Sequence, residues 1–387
     1  MSGCTGENGT AGAGLKRQEL CRLLSTLLLS DLDFALDKKA EQDLWNFAFR
    51  LPIQALQNKA KEQKHCLVHV GDLARYRGQS HQAETFYRRA LDLSPNNGQP
   101  YNQLALLEAA SGAKLSSVFY YMRSLAVQFP FPNAATNLQK LFSNFLSDGF
   151  GGNLKTRHTA FEYIQSFLHV HARLHLSSEV GKLECMLGEL SLSLTALVIA
   201  ERLDSWQLVE MAGLCLFAWE QPSTAQGPVL ELLAGLLSAC LDGALGPRDS
   251  ARLGPPIKVV LDWLLFHPPL FFLDHFLRRP QIWKGLCRLL NDFNTHLPDK
   301  WKSSTEDWEL RGFLPLAKSH SQLDFSADDS SLSEEEVYQL RASRLLRLGQ
   351  SFSQLDRSLI FLGEDNVFYP VPCDLAAAAD SPGPCFL

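Results

Sequence analysis

The chain has 387 residues, of which 46% are hydrophobic and 20% charged, enough to bury one large or two ordinary cores. Its formal net charge of −6 disfavours direct nucleic-acid binding, because neutralising phosphates requires a basic surface. No apolar run approaches the roughly 18 residues of a membrane span, and the polar, glycine-rich N-terminus does not resemble a secretory leader. We therefore expect no membrane association. Nine cysteines lie singly without a C-x-x-C pair, so we also expect no zinc site and no cofactor.

The N-terminal part predicts a disordered start followed by two helices. Residues 1–14 are poor in apolar side chains, which is typical of disorder. Residues 15–29 and 34–50 carry apolar side chains at helical spacing and predict two amphipathic helices. Leu51 and Pro52 end the second helix, because proline disfavours helical geometry in the residue before it.

Residues 65–146 show the pattern of tetratricopeptide repeats. In such a repeat two antiparallel helices meet through small residues, a large ring fills the next groove, and a proline ends the second helix. Two units follow each other at a period of about 34 residues. Their packing positions are Gly71, Ala83, Tyr87, Ala90 and Pro95 in the first unit, and Tyr101, Leu104, Ala105, Tyr121, Ser124 and Pro130 in the second. The predicted helices are 66–77, 80–93, 98–111 and 114–128.

A second helical domain is predicted after a glycine-rich turn at residues 148–152. The turn separates a repeat domain at 15–148 from a helical domain at 153–350. Helical periodicity interrupted by Pro, Gly and Ser predicts helices at 156–175, 178–203, 205–219, 226–244, 256–266, 268–277 and 280–292. No stretch of this domain alternates with period two, so the sequence predicts an all-α protein.

The last part of the chain contains an irregular connection, one more helix and a tail. Residues 298–332 predict a long loop, after which Ser333 and Glu336 form a capping box that starts the final helix. Residues 351–387 predict a small hairpin between residues 358 and 369, where a turn separates two β-prone runs, and then a disordered tail.

Motifs for catalysis and metal binding are not found. His171 and His175 share a helix face at i, i+4, as two metal ligands would, but no glutamate follows His171 and no acidic or cysteine partner is close in sequence. Ordinary packing histidines are therefore the preferred interpretation. No phosphate-binding loop, nucleophile elbow or dinucleotide fingerprint stands at a strand–helix junction, so we predict no catalytic residues and no enzyme.

Basic residues are concentrated around the first repeat. Between Lys59 and Arg89 there are seven basic and three acidic residues, so an anionic ligand would bind there. Arg75 falls on the inner face of the first repeat helix, where a long cation is costly unless it faces a groove. A guanidinium suits phosphate because it donates two parallel charge-assisted hydrogen bonds. From the residues alone, a solvated or salt-bridged arginine remains the alternative.

Several strings resemble one known family in the right order. They are EQDLWNFAFR, HCLVHVGDLARYR, NGQPYNQLALL, PPIKVVLDWLLFHP and IWKGLCRLLNDF. Together they resemble the SMG adaptors of nonsense-mediated mRNA decay, also known as Est-one-type telomerase-binding proteins, and within them the SMG-seven branch. The likeness extends from about residue 30 to about residue 350. It implies a 14-3-3-like domain with tetratricopeptide hairpins followed by an α-helical extension. Relative to the family the chain is shortened in the 14-3-3-like core, between Arg50 and His65, and at the C-terminus.

The resemblance also implies a function and a set of site residues. Such an adaptor is not an enzyme and binds phosphorylated motifs of the up-frameshift RNA helicase. By motif, the phosphate-binding pair falls on Arg50 and Arg75, with Tyr76 as adjacent support. Lys59, Lys61 and Lys64 would form a supporting basic patch. The alternative is a heterodimer subunit beside another SMG adaptor, or a telomerase-associated scaffold, with a non-functional phosphate groove. We expect a cytoplasmic protein, with shuttling to the nucleus left open.

Overall fold

The computed structural model describes residues 65–147, 158–178, 183–222, 224–293, 303–325 and 333–371, together with a few isolated positions such as Gly181 and some before residue 47. These ranges are helical apart from loops, an isolated bridge and one small hairpin, which confirms the predicted all-α class. Several predictions fall outside the described residues. They are the disorder of the N-terminus, most of the two helices before residue 51, the turn at 148–152 and the disordered tail after residue 371. None of the described helices is long and apolar enough to cross a bilayer.

The chain divides into two compact units, residues 1–94 and 95–387. In the first unit, α1 (65–76) and α2 (Ser80–Leu93) are the two helices predicted for the first repeat. Ala83, Tyr87 and Ala90 lie fully buried on one face of α2. A side chain at Gly71 would overlap the Tyr87 ring, so a residue without a Cβ is required there. The predicted domain boundary near residue 148 stays a prediction.

The second unit begins with the hairpin of the second repeat. The first eight helices among its described residues are α3 (Gly98–Ser111), α4 (Lys114–Leu125), α5 (Asn133–Ser147), α6 (Ala160–His175), α7 (Leu183–Ile199), α8 (Ser205–Trp219), α9 (Gln226–Gly243) and α10 (Pro247–Leu264). Helices α3 to α7 pack against their neighbours in chain order, and α8 returns onto α4. Helix α4 ends three residues before its predicted end, because Phe129 pairs through its backbone with Asn96 and Gly98.

Helix α10 differs from its prediction of 256–266, because it begins at Pro247 and runs through Pro255 and Pro256. Proline inside a helix lacks an N–H and leaves a carbonyl one turn earlier without its donor. Here Arg341, from a helix much later in the chain, donates through Nη1 to the carbonyl of Ala251 at 3.3 Å. The missing backbone hydrogen bond of Pro255 is therefore replaced by a side chain, which no local pattern could indicate.

The rest of the unit consists of shorter elements around a long last helix. They are a 3-10 turn (Pro268–Phe272), α11 (Asp274–Leu277), α12 (Pro280–Asp292), α13 (Thr305–Glu309), a second 3-10 turn (Leu314–Leu316), α14 (Ala317–His320) and α15 (Glu334–Ser353). The helix predicted at 268–277 is thus a 3-10 turn followed by a single α-turn. The loop predicted at 298–332 contains short helices, and the capping box of Ser333 and Glu336 is confirmed.

A two-stranded hairpin follows α15 where the sequence predicts one. Strand β1 (Ile360–Leu362) pairs antiparallel with β2 (Phe368–Pro370) and packs on α15, while β2 packs on α12. The side-chain amide of Asn291 accepts from the backbone N–H of Phe368 at 2.8 Å and donates to its carbonyl at 2.9 Å. A single amide of α12 thereby satisfies both backbone groups of Phe368.

Candidate functional site

The guanidinium of Arg75 lies on α1 between an acidic and an aromatic neighbour. Its Nη2 atom is 3.6 Å from Oδ1 of Asp72, one helical turn earlier, and its side chain is 23% exposed. The guanidinium carbon lies 4.5 Å from the centroid of the Tyr76 ring. Nε is buried and has no hydrogen-bond partner among the described residues. The charge of Arg75 is therefore held in place but incompletely paired.

Asp72 connects this arginine to the packing of the repeat. The buried Tyr87 of α2 donates its hydroxyl hydrogen to Oδ1 of Asp72 at 2.8 Å. Burial, together with Asp72, raises the pKa of Tyr87, so its hydroxyl stays a neutral donor. The ring that fills the repeat groove therefore fixes the carboxylate beside Arg75. Asp72 was not among the predicted site residues, although its i, i+3 spacing from Arg75 is visible in the sequence.

Arg75 carries its charge throughout the physiological range. Burial lowers its pKa, but the neighbouring Tyr87 and Tyr76 outweigh this effect, and the pKa lies above its ordinary value. Tyr76 itself is 75% exposed, and Leu73 and Val70 of the same helix are also exposed. Helix α1 thus presents an aromatic and apolar surface directly beside a cation.

The structure brings Arg75 and Tyr76 together, but the other predicted ligands cannot be placed. Arg50, Lys59, Lys61 and Lys64 all lie outside the described residues and stay predictions. Among the basic residues of α2, Arg88 pairs with Glu84 at 2.9 Å, one turn away. Its charge is therefore shared with a carboxylate on the same helix.

The packing positions of the second repeat surround an arginine that sequence reasoning missed. Arg123 of α4 is fully buried and donates through Nη2 to the Tyr101 hydroxyl at 2.7 Å and to the Arg311 carbonyl at 2.9 Å. The Tyr101 hydroxyl in turn lies 3.3 Å from the carbonyl of Pro95. Tyr121 is also buried. Because Arg311 is 188 residues away in sequence, no repeat pattern could have identified this contact.

The two histidines considered as metal ligands are packing residues. His171 stacks at a tilt on Phe167, with 4.6 Å between ring centroids, and its Nε2 lies 3.8 Å from Sγ of Cys215. Burial, with a smaller contribution from His175, lowers the pKa of His171 to about 3, so its ring is neutral. Within the described ranges no group of three or more His, Cys, Asp or Glu residues could hold a metal ion.

The chain is similar to a family and to individual proteins of known name. The model of the Est1 DNA/RNA binding domain matches residues 83–320. The nonsense-mediated mRNA decay factor SMG7 of Danio rerio is 32% identical over 444 residues, covering 88% of this chain and 37% of the relative. The telomerase-binding protein EST1A of Danio rerio is 44% identical over 85 residues, or 20% of this chain and 6% of that protein.

The SMG7 relative is longer than this chain. The chain spans about 37% of the length of that relative. The alignment has 444 positions and includes 88% of these 387 residues. On the order of 100 positions of the relative therefore lie opposite gaps in this chain.

A solved structure supports the fold. The crystal structure of Est1 and Cdc13 matches with a TM-score of 0.60 and 12% identity, over 80% of this chain and 71% of that chain. At this identity the match establishes a shared fold alone. The family model covers more than half of the residues, in the region of the repeat hairpin and the helices that follow it. The chain therefore belongs to the Est1-type family of SMG proteins.

Proposed function

We propose that this chain is a non-enzymatic adaptor in nonsense-mediated mRNA decay that binds a phosphorylated segment of an up-frameshift RNA helicase. The observation that carries the proposal is the setting of Arg75, a permanent cation whose nearest carboxylate is 3.6 Å away and whose Nε is unsatisfied among the described residues. A relative named as a decay factor, similar over most of this chain, supports the same process.

The arginine would bind phosphate through its planar fork. A phosphate dianion accepts two parallel charge-assisted hydrogen bonds from one guanidinium, which a 3.6 Å contact to Asp72 does not match. Tyr87 would keep Asp72 in position while Arg75 turns toward the ligand. The exposed ring of Tyr76 would cover the peptide beside the phosphate. Arg50 as second cation, and Lys59, Lys61 and Lys64 as the attracting patch, belong to the same proposal.

Calorimetric titration of the full chain tests the proposal. The ligands are a phosphoserine peptide from the helicase and its unphosphorylated form. Arg75→Gln removes the charge at the site, whereas Arg89→Gln removes an exposed charge from α2 and serves as the matched control. We expect Arg75→Gln to weaken phosphopeptide binding by about 10- to 100-fold, the effect of a lost charged hydrogen bond. Arg89→Gln should change it by less than about 3-fold.

Equal affinity for both peptides, or for the wild type and Arg75→Gln, would contradict the phosphate-binding role. Circular dichroism of each variant shows whether the helices are intact. A folded chain that binds neither peptide would instead favour the scaffold function.

That second candidate is a subunit of a heterodimer with another SMG adaptor, or a telomerase-associated scaffold. A telomerase-binding protein among the relatives supports it. Sedimentation with another SMG adaptor tests it, and Arg75→Gln should leave such a complex intact. For either candidate we propose a cytoplasmic site of action with shuttling to the nucleus.

A further inference from the structure

A cleft in the second unit lies between the end of α10, the segment around α14 and the second half of α15. Its volume is about 350 Å³, within the range of pockets that hold small ligands. Helix α15 contributes Arg344, Arg347, Leu348 and Ser351, which share one face at i, i+3, i+4 and i+7. Because helices rather than long loops form its walls, the cleft is preformed.

The cleft combines an apolar surface with neutral hydrogen-bonding groups. Phe266 from the end of α10, Leu323 after α14 and Leu348 of α15 supply the apolar part. The side chains of Gln322 and Gln354 supply amide donors and acceptors. This mixture fits a short peptide segment, whose backbone needs hydrogen bonds and whose side chains need apolar contact.

The ionisable residues that line the cleft are two arginines and one aspartate. They are Arg344, Arg347 and Asp262. Asp262 pairs with Lys258 and with Arg344, and Asp307 pairs with the same two cations, so these four charges balance. Arg347 carries the excess positive charge of the lining. Lys318 adds a further cation at the rim, where its Nζ lies 6.0 Å from the centroid of the Phe266 ring.

Arg344, the buried arginine of the cleft, is held by two long ion pairs. Arg344 donates through Nη1 to Asp307 at 3.3 Å and through Nη2 to Asp262 at 3.5 Å, both long for charged hydrogen bonds. It is only 7% exposed, so its guanidinium is fixed in a region of low dielectric constant. A guanidinium has five N–H donors, and these two contacts engage two of them.

We propose that this cleft binds a short acidic peptide segment. A carboxylate of the segment would accept hydrogen bonds from Arg344 and Arg347, which lie one helical turn apart on the same face of α15. An apolar neighbour in the peptide would pack on Phe266 and Leu348.

Peptide is favoured over nucleic acid by the composition of the cleft. Binding RNA or DNA requires a track of cations that neutralises successive phosphates, usually with exposed aromatic rings for stacking. Here two arginines stand among leucines, glutamines and serines.

Fluorescence anisotropy of the full chain with labelled probes tests this inference. The probes are the peptide Leu-Glu-Leu-Glu-Leu with blocked ends, the same peptide with glutamine in place of glutamate, and a ten-nucleotide single-stranded RNA. Arg347→Gln removes a charge from the cleft, and Ser351→Phe fills it without changing charge. Arg248→Gln, at an 86% exposed side chain near the start of α10, is the matched control.

We expect the glutamate peptide to bind and the glutamine peptide to bind at least 10-fold more weakly. Arg347→Gln and Ser351→Phe should each weaken binding of the glutamate peptide at least 10-fold, and Arg248→Gln should not. Arg75→Gln should also leave it unchanged, which separates this site from the phosphopeptide site. The inference is overturned if the folded wild type does not bind the glutamate peptide at millimolar concentration, if neither cleft variant affects binding, or if Arg347→Gln abolishes RNA binding instead.

Discussion

At the scale of single residues, Asp72 limits how much of the Arg75 charge a ligand experiences. Its carboxylate lies 3.6 Å from the guanidinium and also accepts the Tyr87 hydroxyl hydrogen. Asp72→Asn keeps an acceptor for Tyr87 but removes the competing negative charge. We expect the phosphopeptide to bind about 2- to 5-fold more tightly, as for loss of a partly exposed charge interaction. The titration above measures this change.

The control for Asp72→Asn is Glu84→Gln, which removes an equal charge from the exposed pair with Arg88. It should leave phosphopeptide affinity unchanged. Weaker binding by Asp72→Asn would mean that Asp72 supports the ligand rather than competing with it.

Glu210 of α8 gives the stability of the chain a pH dependence. It is 1% exposed and accepts a hydrogen bond from Ser116 of α4 at 3.1 Å. Burial, and to a smaller extent the charges of Asp204 and Glu108, raise its pKa to about 8, although Ser116 opposes the shift. The folded chain therefore keeps this proton up to about pH 8, whereas the unfolded chain releases it near pH 4.5. Its contribution to the free energy of unfolding falls as pH rises between these values, by at most about 1.4 kcal/mol per pH unit.

Glu210→Gln should remove this contribution, because glutamine is neutral at every pH. We expect the variant to be more stable than the wild type at pH 8 and to lose less stability between pH 5 and 8. Urea denaturation across this range measures both effects. Glu220→Gln, at an exposed position just after α8, is the control. Parallel stability curves for the wild type and Glu210→Gln would show that the carboxyl group is ionised in the folded chain.

At the scale of elements, a turn late in the chain packs against the second repeat hairpin. The backbone N–H of Leu314 donates to the carbonyl of Ala126 at 2.9 Å. Gly312 in this turn has a φ of +74°, and a Cβ there would lie 2.6 Å from Oδ1 of Asn96 and 2.8 Å from the carbonyl oxygen of Pro95. The turn therefore needs glycine both for its conformation and for the close approach.

Gly112 provides a matched comparison, because its φ is +85° but nothing lies within 4 Å of its hypothetical Cβ. Gly112→Ala should cost about 1 kcal/mol of unfolding free energy, the strain of a left-handed residue. Gly312→Ala should cost about 1–3 kcal/mol more, because atoms must also move. Thermal or urea denaturation of both variants gives the difference. Equal losses of unfolding free energy in the two variants would mean that the turn at Gly312 can shift without disturbing the hairpin.

The bounds of a helix could be predicted from the sequence where residues within or next to the helix determine them. The bounds of α2, α3, α8 and α12 agree with prediction, because apolar spacing and Pro or Gly at the ends determine them. The start of α10 could not be predicted, since the helix tolerates Pro255 through a side chain from α15. The short helices between α12 and α15 have too few turns to show a periodicity.

At the scale of the whole molecule, a buried ionic cluster joins α10, α13 and α15. Lys258 donates to Asp262 and pairs with Asp307, and Arg341 forms a bidentate pair with Glu306 at 2.9 Å. Burial lowers the pKa of Lys258, but Asp262 and Asp307 outweigh it and raise the pKa, so the ammonium is charged. The cluster connects segments that lie far apart in sequence.

Lys258→Met should leave two buried carboxylates without their main counter-ion. We expect a loss of about 3–5 kcal/mol in unfolding free energy, the usual cost of breaking a buried pair from one side. Arg248→Gln, which breaks an exposed pair with Glu201, should cost less than about 1 kcal/mol. Denaturant titration of both variants tests the contrast. A Lys258→Met protein as stable as the wild type would show that the carboxylates are protonated or hydrated when the lysine is lost.

The sequence predicted only those parts of the candidate site whose residues are close together in the chain. Arg75 and Tyr76 are adjacent, and the repeat pattern places them on one helix. The hydrogen bond from Tyr87 to Asp72 requires the hairpin to be folded, and the contact of Arg123 with Arg311 requires the rest of its unit. A single sequence does not indicate which distant residues contact each other in the folded chain. The buried ionic cluster was not predicted for the same reason.

The most direct test of the account is a thermodynamic cycle on the phosphate and Arg75. Binding free energies are measured for the wild type and Arg75→Gln, each with the phosphorylated and the unphosphorylated helicase peptide. If Arg75 binds the phosphate, removing the phosphate should cost less binding free energy in Arg75→Gln than in the wild type. We expect this difference, the coupling energy, to be about 1.5–3 kcal/mol, the value of a hydrogen bond to a charged group. A coupling energy near zero, with both proteins folded, would contradict the account.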